Sequence, residues 1–261
     1  MDLKRAGALA APSLFTIGNM ACGFYALLSA FRGEFVSAAT AIIAGMAFDA
    51  LDGRVARLVH GESTFGVEFD SLTDFLTFGV APAHMMYAFI LKDYGPWGYP
   101  ISFLFALCGA LRLARFNAVA HETGGSKTHF TGLPIPGGAG FLASFVLLYQ
   151  LIEEGRPART WQLLMDQIPL LYGLAPVMVV AVAFLMVSTI PYPAFKKPGQ
   201  VQANKAVKVI GFALAGIVIF MYPQNSIFLI FFFYVLLGPV SWLVGRVLPR
   251  PAAPHVPPDL P

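Results

Sequence analysis

The sequence predicts an all-α bundle of membrane-spanning helices, and three observations carry that prediction. Of 261 residues, 57% are hydrophobic and only 12% are charged, against roughly 25% charged in a soluble domain. The mean hydropathy is +0.69. The apolar residues also fall in blocks roughly 20 long, the length at which a helix crosses a hydrocarbon core. A soluble globular chain is excluded.

Eight segments fit that description, over about 12–31, 35–59, 66–91, 97–119, 136–152, 168–190, 207–222 and 226–245. The first follows Lys4 and Arg5. The small residues at 8–11 precede its apolar run instead of following it, so it reads as a retained helix and not a cleaved signal. Residues 1–12 are expected to lie along the membrane surface as a short interfacial helix. The second and third segments are joined by a short turn around residues 61–65, which makes them antiparallel neighbours. The second, third and fourth carry charges toward one end, where a hydropathy window would clip them. The fifth is short for a span, so the count is six to eight helices, with eight preferred. A basic stretch from Lys196-Lys197 to Lys208 separates the sixth and seventh. It reads equally as a solvated loop or as a contact for anionic headgroups. The eighth leads into a Pro- and Ala-rich tail, residues 249–261, expected to be disordered, which leaves 1–248 as a single transmembrane domain.

Orientation follows from the basic residues. With the N-terminus inside, the cytoplasmic side collects Lys4, Arg5, Arg54, Arg57, Arg112, Arg115, Lys127, Lys196, Lys197, Lys205, Lys208, Arg246 and Arg250, and the other side only Arg32, Lys92, Arg156 and Arg159. Thirteen against four supports an even number of spans, with both termini in the cytoplasm and the chain in the cell membrane. The net charge of +3 therefore reads as topology, and no nucleic-acid partner is expected. Cys22 and Cys108 are too far apart in sequence to suggest a disulfide framework or a metal site.

Ionisable groups are costly in hydrocarbon, about 2.5–3.5 kcal/mol each at a helix centre on insertion scales. Here they concentrate between Phe48 and Phe75. Asp49 and Asp52 are spaced i,i+3 on the second segment and Asp70 and Asp74 i,i+4 on the third, so each pair shares a helical face. Both pairs lie about two turns from the connecting turn, which predicts a cluster of four carboxylates. Such a cluster cannot stay ionised without compensation. An all-oxygen ligand set favours Mg²⁺, Mn²⁺ or Ca²⁺. Glu68 is expected to point away, and Glu62 sits in the turn. Gly53, Ala56 and Gly66 remove bulk beside the acids so that a ligand can approach the backbone, and Arg57 offers a cation suited to phosphate. Together these features describe a pyrophosphate site. A purely structural carboxylate–arginine network through Arg54 and Arg57 is the plainer reading of the same residues.

The run Asp49-x₂-Asp52-Gly53-x₂-Ala56-Arg57-x₈-Gly66-x₃-Asp70-x₃-Asp74 resembles the full signature of the CDP-alcohol phosphotransferase family, over 26 residues of the chain. The resemblance implies that Asp49, Asp52, Asp70 and Asp74 hold one or two divalent ions, with Asp74 also the general base. It implies that Gly53, Ala56, Arg57 and Gly66 line the CDP pocket, that the reaction releases CMP from a CDP-lipid, and that the protein is a homodimer among membrane lipids.

Two further stretches, Gly109-Ala-Leu-Arg112-Leu-Ala-Arg115-Phe116-Asn117 and Phe130-Thr-Gly132-Leu-Pro134-Ile-Pro136, resemble the membrane-embedded bacterial members that accept L-serine onto CDP-diacylglycerol. So does the opening at residues 15–23 with Asn19. Arg112 and Arg115, i,i+3 at the cytoplasmic end of the fourth segment, suit an acceptor carboxylate or a phosphate; snorkelling topology markers are the plainer reading. Asn19 reads equally as a nucleotide contact or as a partner for a neighbouring helix. The loop 132–136, stiffened by two prolines, is either a cover at the mouth of the site or the turn into the fifth helix. Two rivals stand beside serine. One is a sibling making phosphatidylglycerol phosphate or a phosphoinositol lipid. The other is a divalent-cation transporter, against which the position of the acids at one membrane face argues.

Overall fold

Apolar runs punctuated by glycine and proline become helices in the computed structural model, which describes residues 3–59, 64–123, 129–153, 168–193 and 222–247. The helices are α1 (Leu3–Phe31), α2 (Phe35–Val59), α3 (Thr64–Asp74), α4 (Ala81–Phe89), α5 (Gly98–Thr123), α6 (Ile135–Glu153), α7 (Ile168–Gly173), α8 (Ala175–Val187) and α9 (Pro223–Val247). The segment predicted over 207–222 and the tail from 249 lie outside the described residues. Among the described residues, four stretches are long and apolar enough to cross a membrane: Leu14–Phe31, Phe35–Val55, Leu91–Val119 and Pro223–Val244. Ile135–Tyr149 and Ala175–Val187 are shorter apolar helices.

The first two helices pack along each other, and their turn is short. Gly33 adopts φ +79, the left-handed conformation that ends many helices, and the Glu34 amide donates to the Ser29 carbonyl at 2.8 Å. Among the described residues no separate interfacial helix precedes α1. From Leu3 onward the chain is already part of it, as the alanine-rich stretch at 6–11 favours by intrinsic propensity.

The third predicted segment is not one regular helix. Between α3 and α4 the chain makes a π-helical turn, Phe75–Val80, in which the Ala81 amide donates five residues back to the Leu76 carbonyl. Pro82 stands in the first turn of α4. Its ring excludes the ordinary approach to the carbonyl four residues earlier, and its missing N–H breaks the ladder; a local π turn is one way a helix absorbs this. Thr77, Phe78 and Gly79 in the turn are buried. Thr77 donates to the Asn19 carbonyl of α1 at 3.0 Å.

Two glycines make that approach possible. A Cβ on Gly23 of α1 would overlap Thr77 Oγ1 and lie 2.8 Å from its Cα, and one on Gly45 of α2 would lie 2.7 Å from Thr77 Cγ2. Gly23→Ala is therefore expected to push α1 off the π turn and cost about 1–3 kcal/mol, as overpacking does. Thermal unfolding in detergent reads this as a lowered Tm; an unchanged Tm would refute the close packing.

The remaining elements close the other side. α5 packs on α8 and on the π turn, and α6 packs on α2 and α9. The all-helical expectation needs one addition, a two-stranded antiparallel ribbon of β1 (His129–Thr131) and β2 (Pro191–Pro193), with Phe130 opposite Tyr192. Tyr192 is fully buried, donates to the Val235 carbonyl of α9 at 3.0 Å and fills the space left by Gly238. Cys22 and Cys108 are both free thiols.

Candidate active site

The facing ends of α2 and α3 bring acids together as the spacing requires. Carboxylate oxygens of Asp49, Asp70 and Asp74 all lie within 4.8 Å of one another. Asp52 stands beside them, near enough to act electrostatically on Asp49 and Asp70. It turns one oxygen toward α1, where Thr16 Oγ1 donates to Asp52 Oδ2. The predicted group of four is thus arranged as three plus one. Glu68 is exposed and outside the group.

Helix α1 supplies the second wall. Asn19, fully buried, donates through Nδ2 to Asp74 Oδ1 at 3.2 Å. Of the two readings of Asn19, the described contact is the one to a neighbouring helix. Thr16, Asn19 and Thr77 are polar, buried and set in apolar helices. Thr16 escapes a reading of the sequence alone, although its i,i+3 spacing from Asn19 places both on one face.

Helix α5 supplies the third wall and the cation. Arg112 is only 9% exposed and within Coulombic range of Asp49 and Asp74. Its Nε is buried with no hydrogen-bond partner, and its guanidinium carbon sits 5.8 Å from the Phe116 ring centroid. Arg115 faces elsewhere: Nη1 and Nη2 donate to the Val187 and Ser188 carbonyls at 3.1 and 3.2 Å, at the C-terminal end of α8, where a cation satisfies the last carbonyls. Gly132, at φ +83, fits against the same place, where a Cβ would lie 2.9 Å from the Ser188 carbonyl oxygen and 3.2 Å from Arg115 Nη2. Asn117 of α5 donates to Ser71 of α3 at 2.9 Å, tying the two walls together.

Of the remaining predicted residues, Gly53 and Gly66 are half-buried on α2 and α3. Ala56 and Arg57 lie on α2, with side chains outside the described residues. Arg54 is exposed, and among the described residues the cation acting on the acids is Arg112.

The residues fit a divalent cation. At 4.8 Å and an effective dielectric of about 20, each pair of ionised carboxylates repels by about 3 kcal/mol, and a single guanidinium cannot offset three acids. Asp52 Oδ1 and Asp70 Oδ1 are buried without a hydrogen-bond partner, a costly state that a bound cation relieves. The donors are all oxygen, which selects a hard cation.

A model of the CDP-alcohol phosphatidyltransferase family matches residues 9–168, more than half of the chain. The chain is 35% identical over 235 residues to a CDP-diacylglycerol–serine O-phosphatidyltransferase of Helicobacter pylori strain 26695, covering 89% of this chain and 90% of that protein. To the protein of the same description in Bacillus subtilis strain 168 it is 33% identical, over 71% of this chain and 91% of that one. To an archaetidylserine synthase of Methanothermobacter thermautotrophicus it is 35% identical, over 74% of this chain and 73% of that one.

Proposed function

Because this chain belongs to the CDP-alcohol phosphatidyltransferase family, we propose that it is a phosphatidylserine synthase, moving the phosphatidyl group of CDP-diacylglycerol onto the hydroxyl of L-serine with release of CMP. The observation that carries the reading is the carboxylate triad of Asp49, Asp70 and Asp74, set beside the buried cation Arg112.

Asp49, Asp70 and Asp74, with Asp52 alongside, would hold a divalent cation, Mg²⁺ or Mn²⁺. When bound, that ion neutralises charge on the pyrophosphate of the CDP-lipid. Gly53, Ala56, Arg57 and Gly66 line the CDP pocket. Asp74 is the general base. Asn19 occupies its Oδ1 and leaves Oδ2 to take the proton of the serine hydroxyl. The hydroxyl oxygen forms its bond to the lipid-side phosphorus as the bond from that phosphorus to the CMP oxygen breaks, and CMP leaves with the electron pair. Arg112 is the receptor for the acceptor carboxylate or the lipid phosphate. Arg115 holds the end of α8 in place behind it and so acts on the acceptor indirectly. Residues 1–248 form one catalytic domain. The active face is toward the cytoplasm in the cell membrane, as the basic residues argue, and the protein works as a homodimer.

The test is CMP release by purified protein in detergent, given CDP-diacylglycerol, Mn²⁺ or Mg²⁺, and each alcohol separately. Release that depends on L-serine is expected. Release only with glycerol 3-phosphate or an inositol phosphate would keep the family and overturn the acceptor. Divalent transport into liposomes without any CDP-lipid would favour a transporter instead.

A further inference from the structure

The family match ends at residue 168, yet a residue well beyond it stands at the site. Tyr234 lies on α9 (Pro223–Val247), half-buried and within Coulombic range of Arg112. Its place is fixed from two sides. The ring lies over the bare backbone of Gly137 at the start of α6, where an added Cβ would sit 2.7 Å from Tyr234 Cε1. On the other side Tyr192 of the ribbon packs against it, with ring centroids 5.9 Å apart, and Tyr192 is itself anchored to Val235. A large aromatic held this way carries a polar tip at low conformational cost, because its rotamer is already set.

Arg112 is the cation within Coulombic range of that ring's hydroxyl. It is nine-tenths buried with Nε lacking a partner, an expensive arrangement unless a ligand completes it. Asp49 and Asp74 on α2 and α3 and Tyr234 on α9 all lie within Coulombic range of it. A planar guanidinium with an unpartnered Nε matches a carboxylate, and a phenol O–H within Coulombic range of it suits the same anion.

We propose that Tyr234 and Arg112 together bind the carboxylate of the acceptor amino acid, so that α9 contributes a specificity-determining residue. The inference rests on the serine reading above and deepens it. The residues assigned above to the chemistry at phosphorus all lie within the family match. Tyr234 therefore acts on acceptor recognition and leaves the transfer step to the aspartates.

The experiment compares L-serine with serinol, the same amino alcohol with a second hydroxymethyl in place of the carboxylate, using the full chain in detergent. In Tyr234→Phe the KM for L-serine is expected to rise about tenfold, the size of one hydrogen bond to a charged group. The kcat and the KM for CDP-diacylglycerol stay as in the wild type, kcat/KM for serinol is unchanged, and the preference for L-serine narrows. Gly137→Ala, which displaces the ring without removing the hydroxyl, moves the preference the same way. A Tyr234→Phe enzyme with unchanged preference, or one equally impaired with both alcohols, would overturn the proposal. A wild-type enzyme that releases no CMP with L-serine removes the serine reading itself and this inference with it.

Discussion

Asp74→Asn is expected to give a folded protein that still binds CDP-diacylglycerol but releases CMP about 10³-fold more slowly, within the range set by loss of a general base. The substitution keeps the shape of the side chain and an oxygen that can accept from Asn19 Nδ2, the contact now at 3.2 Å. The end of α3 and the π turn after it therefore keep their supports. What is lost is the oxygen that takes the proton. Asp74 is also one of the three acids that meet within 4.8 Å, so the assay is run at saturating Mn²⁺ to offset weakened cation binding. Residual activity within tenfold of the wild type would show that the proton goes elsewhere.

Removing the cation is expected to be as damaging, and its second signature lies in stability. EDTA should stop serine-dependent CMP release, and Mn²⁺ or Mg²⁺ in excess should restore it. Asp49→Asn should lower Mn²⁺ affinity in calorimetry and lose at least 100-fold in turnover, as loss of charge stabilisation at a phosphoryl group does. In EDTA the order of stability reverses. The wild type keeps three crowded carboxylates, whereas the variant is relieved of the repulsions that Asp49 makes, about 3 kcal/mol per ionised pair at this spacing. The metal-free variant should therefore melt above the metal-free wild type. If it melts below, or if chelation leaves activity untouched, the triad is structural.

Spacing made the acids legible, since i,i+3 and i,i+4 faces on two helices joined by a short turn have few ways to avoid each other. Apolar blocks made the helices legible for the same reason: length and composition suffice. The partners of the acids were harder. Thr16 reaches Asp52 across 36 positions of sequence and Arg112 acts on the acids electrostatically from α5, and such relations depend on how helices pack, which periodicity within a helix does not encode. Arg112 and Arg115 are alike in sequence, three residues apart, and the fold separates them only because α8 ends beside Arg115 with open carbonyls. The β1–β2 ribbon left little signal, because three-residue strands, one of them Pro191-Tyr192-Pro193, resemble any loop. The π turn was hidden inside an apolar segment of ordinary length, although Pro82 marks it.

That turn lets the third segment serve two masters. Each residue of an α-helix advances the side-chain direction by about 100°; widening one turn delays that advance and changes the phase between the helix before it and the helix after it. Asp70 and Asp74 precede the turn and face the acids of α2. Ala81, Met85, Met86 and Phe89 come after it and are buried in the core, while Ala83 accepts from Ser102 of α5 at 2.8 Å. The two halves thus answer to different neighbours on different bearings. Shortening the turn by a single residue to regularise the helix would restore its ladder and put one half out of step with the other.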